Sequence, residues 1–391
     1  MRPWIRVAAA MFGIGWGANQ FSSLLLVYRG QEHLPQSLVA ALFGAYAVGL
    51  IPALLIGASC SDRLGRVKVI RPVLVLSIIA SLVLLSGPDR VWTLVLGRLL
   101  AGVASGVAFG PGTAWIKELS ADAEPGSGAR RAAIALSSGF GGGPLVAGLV
   151  AQWLPLPAVL PYLAHIALML VIIPIVWRAP ETVTRRPDGS AARRTELLTA
   201  LGNPAFLRTI VPTAPLVFGT AAVAMTVIPE AVPLRGFGVA ASGVIAGLTL
   251  AAGIALQPLA RALQRRRPGS PLYLGLGLTV GGFALAALTV VAGQPVLMIP
   301  TALVLGGAYG TILVAGLNRV EALAGPDDLA SVTAVFYCLT YLGFATPFVA
   351  AALSPVLSLP ALLLAAAVVV ILVVPLTVAR GRVSVTAGES A

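Results

Sequence analysis

The chain has 391 residues, of which 58% are hydrophobic and 10% charged, with a mean hydropathy of +0.95. An ordinary soluble domain is about 25% charged, so most of this chain must face lipid or other lipid-buried helices. Two cysteines and two histidines exclude a disulfide framework and a zinc cluster, and the net charge of +12 sits in short breaks between apolar runs, which fits an anionic leaflet rather than nucleic acid.

A helix needs about 20 mostly apolar residues to cross the hydrocarbon core. Breaking the chain at charge clusters and Gly/Pro-rich turns predicts twelve spans, at 7–28, 37–59, 70–87, 91–112, 131–153, 158–177, 208–229, 238–260, 271–292, 295–317, 331–353 and 356–379. The first run is too long, and its flank at 16–20 too polar, for a cleaved signal peptide, so a retained helix is expected. With the N-terminus inside, the predicted cytoplasmic segments hold 22 of the 26 Lys and Arg. The opposite loops hold Arg29, Arg90 and Arg235, and Arg98 lies within a span. This bias places both termini in the cytoplasm. The polar stretch 178–203 predicts a cytoplasmic linker over 178–207 between six-helix bundles at 1–177 and 208–391. Short matches support a parallel repeat of the two halves: Pro144-Leu-Val-Ala-Gly148 with Pro347-Phe-Val-Ala-Ala351, Glu118 with Glu321, and Gly106 and Gly110 with Gly306 and Gly310.

In the break after the second span, 58–68 contains Asp62-Arg63-Leu64-Gly65-Arg66. Gly65 permits a tight turn, Asp62 at a helix end accepts hydrogen bonds from nearby backbone, and Arg63 and Arg66 can pair with acids on adjacent helices. The segment resembles the signature loop of the major facilitator superfamily, G-x-L-a-D-R-x-G-R-R/K, with Ala58 in place of the leading glycine and the second basic residue displaced to Lys68. The break at 257–266 looks like a decayed copy in which Arg261 replaces the Asp and Gln264 the Gly.

In the fourth span Arg98, Gly102, Gly106 and Gly110 share one helix stripe, similar to the family's R-x-x-x-G element. The resemblance implies proton handling or helix pairing for Arg98; the alternative is snorkelling to the headgroups. The fifth span carries Gly139, Gly143, Pro144 and Gly148, resembling the antiporter motif G-x-x-x-G-P-x-x-G-G with Ala147 for one glycine. In the family that motif marks exporters more than importers; a glycine-rich packing face is the alternative. Glu118 matches an acid that follows the fourth span and is expected to pair with Arg63 or Arg66. Pro180-Glu181-Thr182 resembles a recurrent family turn after the sixth.

Polar groups that lipid disfavours are candidates to line a central path: Asn19, Gln20, Gln257, Tyr309, Thr311, Tyr337, Thr340 and Tyr341. No Asp or Glu falls mid-membrane, so proton coupling rests with Arg98, Glu32, Glu230, His165 or the gate acids, or is absent. For His165, packing inside the bundle with one hydrogen bond is the first expectation. The pattern at 13–18 mimics a dinucleotide fingerprint but follows no strand. No cluster of nucleophile, base or metal ligands can be assembled, so no enzyme, cofactor or metal is expected.

The resemblance implies an all-α membrane protein with twelve transmembrane helices in two pseudo-symmetric six-helix bundles that rock about a central cavity. Asp62, Arg63, Gly65, Arg66 and Glu118 would form a cytoplasmic latch favouring the outward-open state. The expected activity is export of small amphipathic compounds by drug:proton antiport, from a monomer in a bacterial inner membrane. The alternatives are an importer or facilitator of a small metabolite and a non-transporting membrane sensor.

Overall fold

The computed structural model describes residues 1–87, 90–124, 127–183, 201–234, 236–323 and 329–378, and among them there are helices and turns but no strand. The helices are α1 (Pro3–Asn19), α2 (Phe21–Gly30), α3 (Gln36–Leu64), α4 (Arg66–Leu85), α5 (Val91–Glu118), α6 (Ser127–Trp153) and α7 (Leu160–Trp177). The second half of the chain supplies α8 (Phe206–Ala231), α9 (Gly238–Arg266), α10 (Ser270–Ala292), α11 (Pro295–Leu323), α12 (Val332–Leu353) and α13 (Leu359–Val378). Ten of these are long and apolar enough to cross a membrane. The first expected span falls below that length because a turn at Gln20 splits it into α1 and α2, and the last is apolar over Leu359–Pro375.

Several expected ends move. Charged residues at a span's end leave the hydrocarbon without leaving the helix, so α3 runs to Leu64, α5 to Glu118, α9 to Arg266 and α11 to Leu323. The presumed loop at 58–68 is therefore a one-residue turn: Gly65, at φ 100°, separates α3 from α4. The decayed copy at 257–266 lies wholly inside α9. Of the expected linker, 184–200 lies outside the described residues, as do Arg235 and the tail beyond Val378, and α8 begins at Phe206. Within α8 the backbone widens to π-helical turns at Phe206–Ile210 and Val223–Val227, and α12 tightens to a 3₁₀ turn at Leu342–Ala345.

Large apolar side chains such as Ile56, Leu170, Val171, Val369 and Leu372 are exposed, as a lipid-facing surface requires. Inside, helices approach through small residues, because lipid gives apolar side chains no incentive to leave it and close van der Waals packing must hold the bundle. Gly102 and Gly106 of α5 lie against the carbonyls of Tyr46 and Leu50 on α3; Gly306 and Gly310 of α11 lie against those of Thr249 and Gly253 on α9. The two helix pairs thus repeat the same contact. The repeat matches Gly102 to Gly306, one helical turn away from the Gly106–Gly306 register read from the sequence.

Candidate functional site

At the end of the bundle that carries the signature segment, Arg66 is the hub. Its Nη1 donates to Ser61 Oγ at 2.9 Å and to Asp62 Oδ1 at 2.8 Å. Its Nη2 and Nε donate to the two oxygens of Glu118 at 2.8 and 3.4 Å. Of the two partners expected for Glu118, the pair forms with Arg66, whose side chain is buried; the Arg63 side chain is exposed. The Thr182 hydroxyl also donates to Glu118. Glu181 accepts from the backbone amides of Arg66 (3.0 Å) and Val67 (2.9 Å), and so caps α4 from a distant segment, while the amides of Thr182 and Val183 reach the same carboxylate. Gly65 has to be glycine twice over, since its φ is positive and a Cβ there would stand 2.5 Å from Glu181 Oε2. Partial desolvation alone would raise the Glu181 pKa; the four amides outweigh it and hold the carboxyl below the ordinary carboxylate range. The end of α7 is tied to this cluster: Trp115 Nε1 donates to Pro180 O at 2.9 Å, Arg71 to Trp177 O at 2.6 Å, and Arg6 to Arg178 O. These partners all belong to the first half, so the cluster braces α3, α4, α5 and the end of α7 as one body.

Arg98 does not snorkel. It is 1% exposed, and its donors reach the carbonyls of Ala18 (2.9 Å), Leu42 (3.2 Å) and Phe43 (3.3 Å), from α1 and α3. Its guanidinium also lies 4.6 Å from the ring centre of Phe21 and 4.8 Å from that of Tyr46. A cation buried in this way is tolerated because ring faces and aligned carbonyl dipoles replace its hydration. Beyond it, eight rings form one continuous cluster across the chain's two halves: Phe43, Tyr46, Phe109 and Phe140 from α3, α5 and α6, and Phe218, Tyr309, Tyr341 and Phe344 from α8, α11 and α12. Phe218 is the centre, stacked on Tyr341 at 4.6 Å and on Phe344 at 4.8 Å. Tyr309 and Tyr341 were expected from the sequence; Tyr46 and the five phenylalanines were not, since a ring in a span carries no mark of which way it faces.

The glycine motif on α6 has two faces. Gly139 and Gly143 lie on the backbone of α1 at Phe12 and Trp16, whereas Gly148 lies on α9, where its Cβ would stand 2.7 Å from Val239 O. Pro144 lacks the N–H that would bond Phe140 O, and Asn19 Nδ2 supplies the missing donor at 2.8 Å. Ser23 Oγ donates to Pro144 O at 2.8 Å. Toward the end opposite the signature segment the halves are clasped twice. Gln152 of α6 donates to Gly236 O at 2.9 Å and accepts from the amides of Val239 and Ala240 at 3.2 and 3.3 Å, capping α9. Glu230 of α8 pairs with Arg29 of α2 at 3.7 Å and accepts from Gln36 Nε2 of α3 at 3.3 Å.

The remaining candidates scatter. His165 is fully buried in the first half, Nδ1 at 2.8 Å from Ser81 Oγ and Nε2 at 3.1 Å from Gly13 O, two hydrogen bonds where one was expected. Thr311 and Thr340 donate to carbonyls of their own helices, at Gly307 and Tyr337, so each hydroxyl proton is already used and only the acceptor side is left for a path. Gln257 accepts from Arg261 Nη2 at 3.0 Å, toward the signature end of α9. Tyr337 is half-buried beside Phe336. Gln20 is fully buried with neither amide atom hydrogen-bonded. Glu32 is half-buried on the turn between α2 and α3. Among the described residues no three His, Cys, Asp or Glu side chains group as metal ligands.

The model of the Major Facilitator Superfamily matches residues 5–346. No curated protein matches the sequence. Among solved structures the chain is similar to the nucleoside transporter NupG, with a TM-score of 0.71 and 14% identity over 98% of this chain and 100% of that one. It is similar to a POT family transporter in complex with 5-aminolevulinic acid, with a TM-score of 0.77 and 12% identity over 97% of this chain and 96% of that one. A bacterial homolog to the human lysosomal transporter Spinster, in an inward-facing and unoccupied conformation, gives a TM-score of 0.68 and 12% identity over 96% and 94%. At such identities the likeness speaks for the fold alone. The chain is a multi-pass membrane protein with a transporter fold, and it belongs to the Major Facilitator Superfamily.

Proposed function

We propose that the chain exports small amphipathic compounds across a bacterial inner membrane by alternating access, as a monomer with both termini cytoplasmic, and that proton entry drives the export. Residues 1–177 and 208–391 act as the two rocking bodies, which places the Arg66 cluster at the cytoplasmic face and the Glu230 and Gln152 clasps outside. The observation that carries the reading is the ring cluster. Four rings from each half meet where the two bodies must part, so parting them opens a site walled by aromatic faces. The α6 motif supports the outward direction through its resemblance. Glu230 is the group that couples protons: a proton from outside cancels the charge that holds Arg29, loosens the clasp and favours opening on that side.

The test is proton movement in proteoliposomes that hold the purified protein and a pH-sensitive dye, challenged with a panel of aromatic amphiphiles. Compound-triggered proton flux that is lost in Glu230→Gln, with the variant still folded, is the expected result. Compound flux with no proton movement refutes the antiport step. It would select the second reading, a facilitator of a specific metabolite, which the lack of any Asp or Glu in the middle of a span favours.

A further inference from the structure

The charge that stands behind the ring cluster has one sign. Arg98 is the charged residue set deepest in any described helix, just past the second turn of α5; the others lie within the first or last two turns. It is fully buried, its donors end on three backbone carbonyls, and no carboxylate pairs with it among the described residues. Arginine does not deprotonate in proteins, so this is a permanent positive charge in a medium that screens poorly. Its guanidinium carbon is 4.8 Å from the Tyr46 ring, and that ring is 5.8 Å from Phe344, which stacks on Phe218 at the centre of the cluster.

We infer that the site between the halves takes neutral or anionic aromatic compounds and discriminates against organic cations. The inference rests on the proposed reading of a transporter for amphipathic compounds and adds the sign of the cargo's charge. Aromatic faces by themselves attract cations, so the rings alone would point the other way. The local balance is reversed by the charge of Arg98, which no carboxylate offsets among the described residues and which already occupies the face of Tyr46, the cluster ring nearest to it. The cluster rings nearest the guanidinium are 4.8 Å (Tyr46) and 6.0 Å (Phe43) away, and Phe344 is 5.8 Å beyond Tyr46, so a ligand charge beside Phe344 stands within about 10 Å of it. At an effective dielectric constant of about 20, that separates a cation from its neutral analogue by about tenfold in affinity, and favours the anion by a similar factor.

A series on one ring system tests this. Binding of 1-naphthoate, 1-naphthamide and 1-naphthylmethylammonium is measured by calorimetry on the full-length protein in nanodiscs, with empty nanodiscs subtracted. The expected order of affinity is carboxylate, then amide, then ammonium, in steps of about tenfold. Phe218→Ala weakens all three alike, which places the ligand at the seam. Arg98→Met collapses the order, and Arg98→Lys, which keeps the charge, preserves it. Ammonium binding as tight as the carboxylate overturns the inference and leaves the transporter reading in place. An order lost in folded Arg98→Lys overturns the assignment to this charge. No binding of any of the three by protein that melts cooperatively overturns both the inference and the reading beneath it.

Discussion

The contact between α6 and α9 at Gly148 gives the sharpest test of how the halves close. In Gly148→Ala the new Cβ stands 2.7 Å from Val239 O and 3.0 Å from Gly243 Cα. Both are backbone atoms, so no side chain can swing aside and the helices must separate. Overpacking of this kind costs about 1–3 kcal/mol. Because the penalty falls only on the closed seam, it shifts the equilibrium toward separated halves by about 5- to 150-fold. The Gln152 clasp loosens with it, since its acceptor oxygen depends on the amides of Val239 and Ala240 staying in place. Ala240, 4% exposed and one turn from Gly243, is the reporter. With Cys60 and Cys338 replaced by serine and Ala240→Cys introduced, a membrane-impermeant maleimide should label Gly148→Ala protein faster by a factor in that range. An unchanged labelling rate together with an unchanged melting temperature would falsify the close approach of the two helices.

Two further outcomes follow from the polar contacts. Asn19→Ala leaves Phe140 O without the donor that Pro144 already denies it, at a cost of about 1–2 kcal/mol in a bilayer. Adding Pro144→Ala restores a backbone N–H, so the double variant should recover part of the lost melting temperature, whereas strictly additive losses would disprove the link. Glu181 sets a pH dependence: its folded pKa lies below the ordinary carboxylate value, so its cap on α4 is fully present above that value and fades as pH falls through the folded one. Melting temperatures from pH 7 downward should therefore drop in the acid range, and Glu181→Gln should be less stable at neutral pH with a shallower acid decline. Parallel curves for the two proteins would remove Glu181 from the cluster's stability.

The sequence underestimated how far the helices run. Hydropathy reports where a helix leaves the hydrocarbon, and Asp62, Glu118 and Arg261 are polar enough to end an apolar run; none of them breaks helical geometry, and only Gly65 does. The same reasoning explains why the sequence named Arg63 and Arg66 as equal candidates. Two arginines three apart in one polar break look alike until Gly65 is seen to put Arg63 at the end of α3 and Arg66 at the start of α4, where α5 brings Glu118 to Arg66. Glu181 and Gln152 carried little or no signal, because each caps a helix that begins far away in the chain.

Taken alone, the sequence determined what local chemistry determines: a chain too apolar for water, helices wherever apolar runs match the bilayer, a signature turn where glycine is required, and one cation about two turns inside a span. Tertiary structure decided which faces meet. Phe344 and Phe348 sit one turn apart on the same helix, yet the first is 2% exposed in the ring cluster and the second 44% exposed to lipid. In a bilayer both surroundings are apolar, so hydrophobicity cannot rank them. Only the packing of α8 and α12 against α3, fixed by close backbone contacts and shared hydrogen bonds, turns one ring toward the site and leaves the other outside.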